Sequence, residues 1–124
     1  MTDDPSLESL DSYLPLTPAV FHILLALADE EKHGYAIMME IEARSRGAFR
    51  MGPGTLYGSI KRMVGSGLIV ESDWRPDPRL DDERRRYYRL TELGRRLAVA
   101  EAERLETLVQ AARIKRLLPA QEAI

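Results

Sequence analysis

The spacing of helix-starting and helix-ending residues constrains this chain most. Thr17-Pro18, Gly34, Gly47, Pro53-Gly54-Thr55 and Gly65-Ser66-Gly67 divide its first half into three short segments. A threonine ahead of proline starts a helix, because its hydroxyl caps a free N–H and proline lacks the N–H that would be left unpaired. Glycine ends one by accepting positive φ. Each segment carries apolar residues at helical spacing: Val20, Phe21, Leu24, Leu25, Leu27 and Ala28; then Ile37, Met38 and Ile41 within a pattern from about Tyr35 to Arg46; then Leu56, Ile60, Met63 and Val64. Beyond Gly67 the period changes. Leu68-Ile69-Val70 opens a strand expected to reach about Trp74, a polar loop with two prolines follows, and Arg84 to Leu90 returns as a second strand. Thr91 caps a long last helix ending near Pro119, with Leu93, Leu97, Ala100, Leu105, Leu108 and Ala112 at roughly heptad spacing.

Three helices followed by a hairpin predict a mainly α fold with a small β-hairpin: a winged helix-turn-helix with a two-stranded wing and a long C-terminal helix. At 124 residues there is room for one such domain. The expected boundaries are residues 1–16 as an N-terminal arm or short helix, 17–90 as the winged helix, 91–119 as the last helix and 120–124 as a tail. The first stretch is open between two forms. Asp4-Pro5 followed by Leu7, Leu10 and Leu14 suits an amphipathic helix, which must dock to be stable at that length; the alternative is a mobile arm.

The chain has no cysteine and only two histidines, His22 and His33, so thiolate metal sites, disulfides and cysteine nucleophiles drop out and no metal or other cofactor is expected. No nucleophile has a histidine near it in sequence, and an enzyme is the least expected class. The apolar run Ala19–Ala28 is too short to span a membrane, and the acidic start is unlike a leader, so the cytoplasm is the default expectation.

The net charge of −2 argues against a nucleic-acid partner until it is divided by position. Residues 1–32 carry −6, residues 33–90 carry +3 and residues 91–124 carry +1. No Asp or Glu stands between Ala43 and Ile69, a stretch that includes the third helix. On that helix Thr55, Gly58, Ser59, Arg62 and Ser66 share the face opposite the apolar one, flanked by Tyr57 and Lys61. Small residues and cationic donors without acids suit a surface that approaches phosphates and base edges.

Four motifs, LTPAVFHILLAL, HGYAIMMEI, GPGTLYGSIKRMVGSGLI and RRYYRLTELGRRL, stand in this order from about Leu16 to Leu97. Together they resemble the PadR-type transcriptional regulators. The resemblance implies a homodimeric repressor on a pseudo-palindromic double-stranded DNA operator, with the last helix as dimerisation arm; it allows a small-molecule effector and names no residue for one. It places Thr55, Tyr57, Ser59, Lys61 and Arg62 where the family's recognition helix meets DNA, with Tyr57 on the backbone. Tyr35 and Gly34 open the second helix near the same strand, and Arg84, Arg85 and Arg86 belong to the wing. Alternation along a strand sends Arg85 to the opposite face, which leaves Arg84 and Arg86 for DNA. Leu93, Leu97, Leu105, Leu108 and Ala112 are the expected dimer residues.

Blander roles compete for several of these. Tyr57 also suits a ring closing the contact between the second and third helices. Trp74 suits packing at the base of the wing better than ligand stacking, and His33 suits the turn before the second helix. The competing function is a winged-helix protein-interaction module without specific DNA binding. It gains if Glu40 and Glu42 neutralise Arg44, Arg46, Arg50, Lys61 and Arg62, and DNA gains if those cations cluster on the third helix.

Overall fold

A computed structural model describes residues 10–73 and 85–121. The expected roles of Leu7, Trp74 and Arg84 lie outside the described residues.

Residues 10–13 form a helical turn, and α1 follows at Pro18–Leu27. The Thr17 hydroxyl accepts from the Val20 N–H at 3.3 Å, the cap that Thr17-Pro18 predicts. Ile23, Leu24, Ala26 and Leu27 are buried, so α1 is the central element of the core. α2 spans Gly34–Arg44 and buries Ile37 and Ile41. Its N-cap is His33, whose Nδ1 accepts from the Ala36 N–H at 3.2 Å. Arg46 and Gly47, both at positive φ, turn the chain out of α2. α3 spans Pro53–Gly65 and buries Leu56, Ser59, Ile60 and Met63. It closes at Gly67, φ +81°, with the Leu68 N–H bonded to the Met63 carbonyl at 2.9 Å and the Gly67 N–H to that of Val64. That paired closure puts the buried Leu68 under the helix end and launches the sheet.

The sheet has three antiparallel strands, one more than the sequence predicts. β1 is Lys32–His33, β2 Ile69–Ser72 and β3 Tyr87–Leu90, in the order β1-β3-β2. Ile69 faces Leu90 and Ser72 faces Tyr87 across the hairpin, while Lys32 and His33 pair with Tyr88 and Tyr87 on the other edge. Two residues carry no readable alternation, which is why β1 escapes a periodicity argument. Both hairpin strands are shorter than expected; Arg85 and Arg86 precede β3, so strand alternation does not govern where they point.

α4 spans Glu92–Ile114. Thr91 joins it to the rest: its Oγ1 accepts from the Gly94 N–H at 3.0 Å and donates to the Gly67 carbonyl, while its own N–H bonds the Leu68 carbonyl at 3.1 Å. Gly94 is buried there, and a methyl group at this position would overlap the Leu68 carbonyl oxygen, a backbone atom that cannot move aside. Leu97 is fully buried among the core residues. This corrects its expected place in a dimer seam: heptad spacing marks an apolar stripe but not what covers it. Glu101, 2% exposed, accepts both Nε and Nη2 of Arg104 at 2.8 Å and the backbone N–H of Leu16. The Arg104 bonds hold its pKa below the usual carboxylate range against the opposing effect of burial. Through Glu101 the segment before α1 is tied to α4.

Candidate nucleic-acid interface

The exposed face of α3 holds Thr55, Tyr57, Lys61 and Arg62, with Gly54 just before them and Gly58 among them. Lys61 and Arg62 make no ion pair among the described residues, and no acid exists on α3 to offer one. Ser59 is not on this surface. At 3% exposure it faces inward, its hydroxyl within 3.3 Å of Arg62 Nη2, at a cleft of about 400 Å³ shared with Tyr13, Leu16, Val20 and Met63. A polar residue bordering Met63 on the helix reads as solvent-facing only if nothing covers it; residues 13–20 do.

A second cleft, of about 430 Å³, opens where α2 begins and the wing passes. His33, Gly34, Tyr35, Tyr57, Arg85, Arg86 and Tyr88 line it. The first-turn N–H groups of α2 point from a helix start, where amides lack intrahelical acceptors and the helix dipole favours anions. Two phenols, Tyr35 and Tyr57, stand half-exposed beside them, and two guanidinium groups approach from the wing. Burial keeps the Tyr88 phenol above its ordinary pKa, so at neutral pH it remains a neutral donor. The His33 ring lies edge-on to Tyr87, with Arg85 Nη1 3.5 Å from its Nε2. Arg86 is paired with Glu71 at 2.8 Å, across an exposed surface where such a pair exchanges readily for another anion.

The cations named as discriminators fall into two groups. Arg44 bonds Glu40 at 2.7 Å and donates to the His22 carbonyl at 3.0 Å, spanning α1 and α2. Arg46 and Arg50, in the link between α2 and α3, are exposed and make no ion pair among the described residues, nor does Glu42. One of the five cations is thus paired with an acid, and the other four make no ion pair among the described residues. Sequence reasoning missed His33, Arg85 and Tyr88 as members of the cleft. The available signal for His33 was its place immediately before Gly34, an N-cap position.

On α4 the inward stripe of Gly94, Leu97 and Glu101 continues through Leu105 to Leu108 and Ala112. Leu93 packs on the core and Leu105 is half-buried, but Leu108 is 55% exposed and Ala112 is only partly covered. Val109, Ile114 and Leu117 are exposed nearby. No helix of the described residues is long and apolar enough to cross a membrane.

Residues 23–100 match the Transcriptional regulator PadR-like family. Over 89 residues the chain is 38% identical to Transcriptional regulator Rv3488 of Mycobacterium tuberculosis, covering 72% of this chain and 77% of that protein. Among solved structures it is similar to a PadR family transcription regulator of Clostridium difficile, with a TM-score of 0.63 at 24% identity over 78% of this chain and 96% of the other. RosR of H. salinarum superposes with a TM-score of 0.58 at 26% identity, covering 83% and 98%.

Proposed function

The chain belongs to the PadR-like family of transcriptional regulators, and from that premise we propose that it is a homodimeric repressor that reads double-stranded DNA with α3. The observation that carries this is the acid-free outer face of α3, on which Lys61 and Arg62 make no ion pair among the described residues while Thr55 and Gly58 keep the surface low enough to approach base edges. In this arrangement Tyr57, Tyr35 and the start of α2 take the DNA backbone, and Arg86 exchanges Glu71 for a phosphate. The first-turn amides supply the sequence-independent part of the contact. Ser59 contributes by orienting Arg62, not by touching DNA.

Dimerisation supplies the second half-site. The α4 stripe outruns its own domain after Glu101, and a second copy laid along Leu105, Leu108, Val109 and Ala112 completes its burial. Two recognition helices then sit about 34 Å apart, one turn of DNA. Occupying an operator in this way blocks transcription, and such a repressor works in the cytoplasm.

Selecting bound duplexes from a random pool tests the function. An inverted repeat with half-sites about 10 base pairs apart is expected, with affinity falling steeply as salt rises. Failure to retain any duplex at low salt overturns DNA binding and favours the protein-interaction reading. Leu108→Glu with Val109→Glu is expected to give a folded monomer in sedimentation; a persistent dimer moves the interface off α4.

A further inference from the structure

Gly34 sits at the first position of α2 and is buried beneath the Tyr57 ring. A Cβ added there would come within 2.5 Å of both Cε1 and the hydroxyl oxygen of Tyr57 and 2.7 Å of Cζ. Carbon atoms do not approach so closely, so the phenol occupies the space that every other residue would fill. The glycine is not there for backbone freedom: its φ lies outside the left-handed region, and alanine forms helix better than glycine. Gly94 offers the contrast, since its neighbour is the fixed Leu68 carbonyl, whereas the neighbour of Gly34 is the mobile end of a half-exposed side chain.

We propose that Gly34 is a positioning residue for DNA binding: its missing side chain lets Tyr57 of α3 lie across the start of α2, so that the phenol hydroxyl and the first-turn amides converge on one phosphodiester oxygen. The inference rests on the DNA-binding reading above. It couples the two helices of the motif through a residue that brings no side chain to the DNA. The Ala36 N–H is already taken by His33, so the seat for the oxygen is formed by the remaining first-turn amides and the hydroxyl, with Arg85 and Arg86 around it. A phosphate contact of this kind carries no sequence preference and is lost equally on every duplex.

The test is a double-mutant cycle on Gly34→Ala and Tyr57→Phe, read by anisotropy with a labelled duplex enriched by the unmodified protein. Gly34→Ala displaces the ring and Tyr57→Phe removes the hydroxyl, so each is expected to weaken binding about tenfold, the worth of one hydrogen bond to a charged group. The double variant is expected to lose no more than either alone. A Gly34→Ala protein that binds like the original, or a double variant whose loss is the product of the two, overturns the inference. Circular dichroism melts accompany each variant, and Gly34→Ala with Tyr57→Leu relieves the clash should the single change unfold the chain. A readout independent of DNA is the Gly34 amide resonance. It is expected to move in Tyr57→Leu as the ring current disappears, and an unmoved signal overturns the packing. If the original protein binds no duplex, the functional reading fails first, and the amide resonance still separates that failure from a wrong account of Gly34.

Discussion

The shoulder formed by α1, β1 and α2 and the outer face of α3 use cations in opposite ways. On the shoulder Lys32, 9% exposed, donates to the Ala26 carbonyl at 2.6 Å and to Asp29 at 2.7 Å, with Glu40 at 3.3 Å. Burial works against its charge, but Asp29 and Glu40 outweigh that cost and its pKa is raised. Arg44 shares Glu40. Lys32 closes the Ala26 carbonyl at the open end of α1, and Arg44 ties the His22 carbonyl midway along α1 to Glu40 of α2, so their charge is consumed within the fold. On α3 Lys61 and Arg62 meet no acid among the described residues that would consume theirs. The same residue types therefore stabilise one region and leave the other dependent on an outside anion.

The largest effect should come from removing the buried member of the shoulder. Lys32→Ala leaves the Ala26 carbonyl without its donor and Asp29 and Glu40 without their cation, which should lower stability by about 2 kcal/mol in urea denaturation. DNA affinity of the fraction that remains folded should not change. A variant that melts like the original but binds poorly would mean that Lys32 belongs to the interface, and the contrast between the two regions would collapse.

Next come the cations of α3. Arg62→Ala and Lys61→Ala are each expected to weaken duplex binding by about tenfold or somewhat less and to reduce the slope of log affinity against log salt by about 1, with thermal stability within ~0.5 kcal/mol of the original. Arg62 has the smaller slope change if its contact is to a base edge. Unchanged affinity for both would remove α3 from the reading role. Arg44→Ala is the matched control, since its guanidinium bonds Glu40 and the His22 carbonyl across a part-exposed surface. It should cost at most about 1 kcal/mol of stability and nothing in affinity.

This division was half legible in the sequence. The Glu40–Arg44 spacing of four on one helix announces a pair, and the absence of acids from Ala43 to Ile69 announces the unpaired face. The element order was equally legible, because Thr17 and Thr91 cap their helices by local hydrogen bonds and Pro53 opens its helix where a missing N–H costs nothing, none of which needs a tertiary partner. What local chemistry cannot supply is coverage. Ser59 and Arg62 look alike as polar residues on one face until residues 13–20 fold over the first. Leu97 and Leu108 look alike as heptad leucines until the core ends between them, leaving one fully buried and the other exposed. β1 becomes a strand only because Tyr87 and Tyr88 arrive to pair with it from more than fifty residues away.

The smallest predicted effect tests whether the shoulder is also sensitive to pH. His22 stacks on Phe49 with ring centroids 4.4 Å apart, under the Arg44 guanidinium, whose Nη2 lies 3.5 Å from His22 Nδ1. Burial and then the Arg44 charge lower its pKa. A histidine whose folded pKa is depressed binds its proton more readily when unfolded, so its contribution is fully present above the unfolded value, about 6.5, and is lost as pH falls through the lower folded value. Melting temperature should therefore decline gently between pH 7.5 and pH 5.5. His22→Phe keeps the stack on Phe49 and removes the proton site, so this part of the decline should vanish in the variant while affinity for DNA at pH 7.5 stays unchanged. A decline of equal slope in His22→Phe would assign the pH response to another group and leave Arg44 as a purely charge-paired brace between α1 and α2.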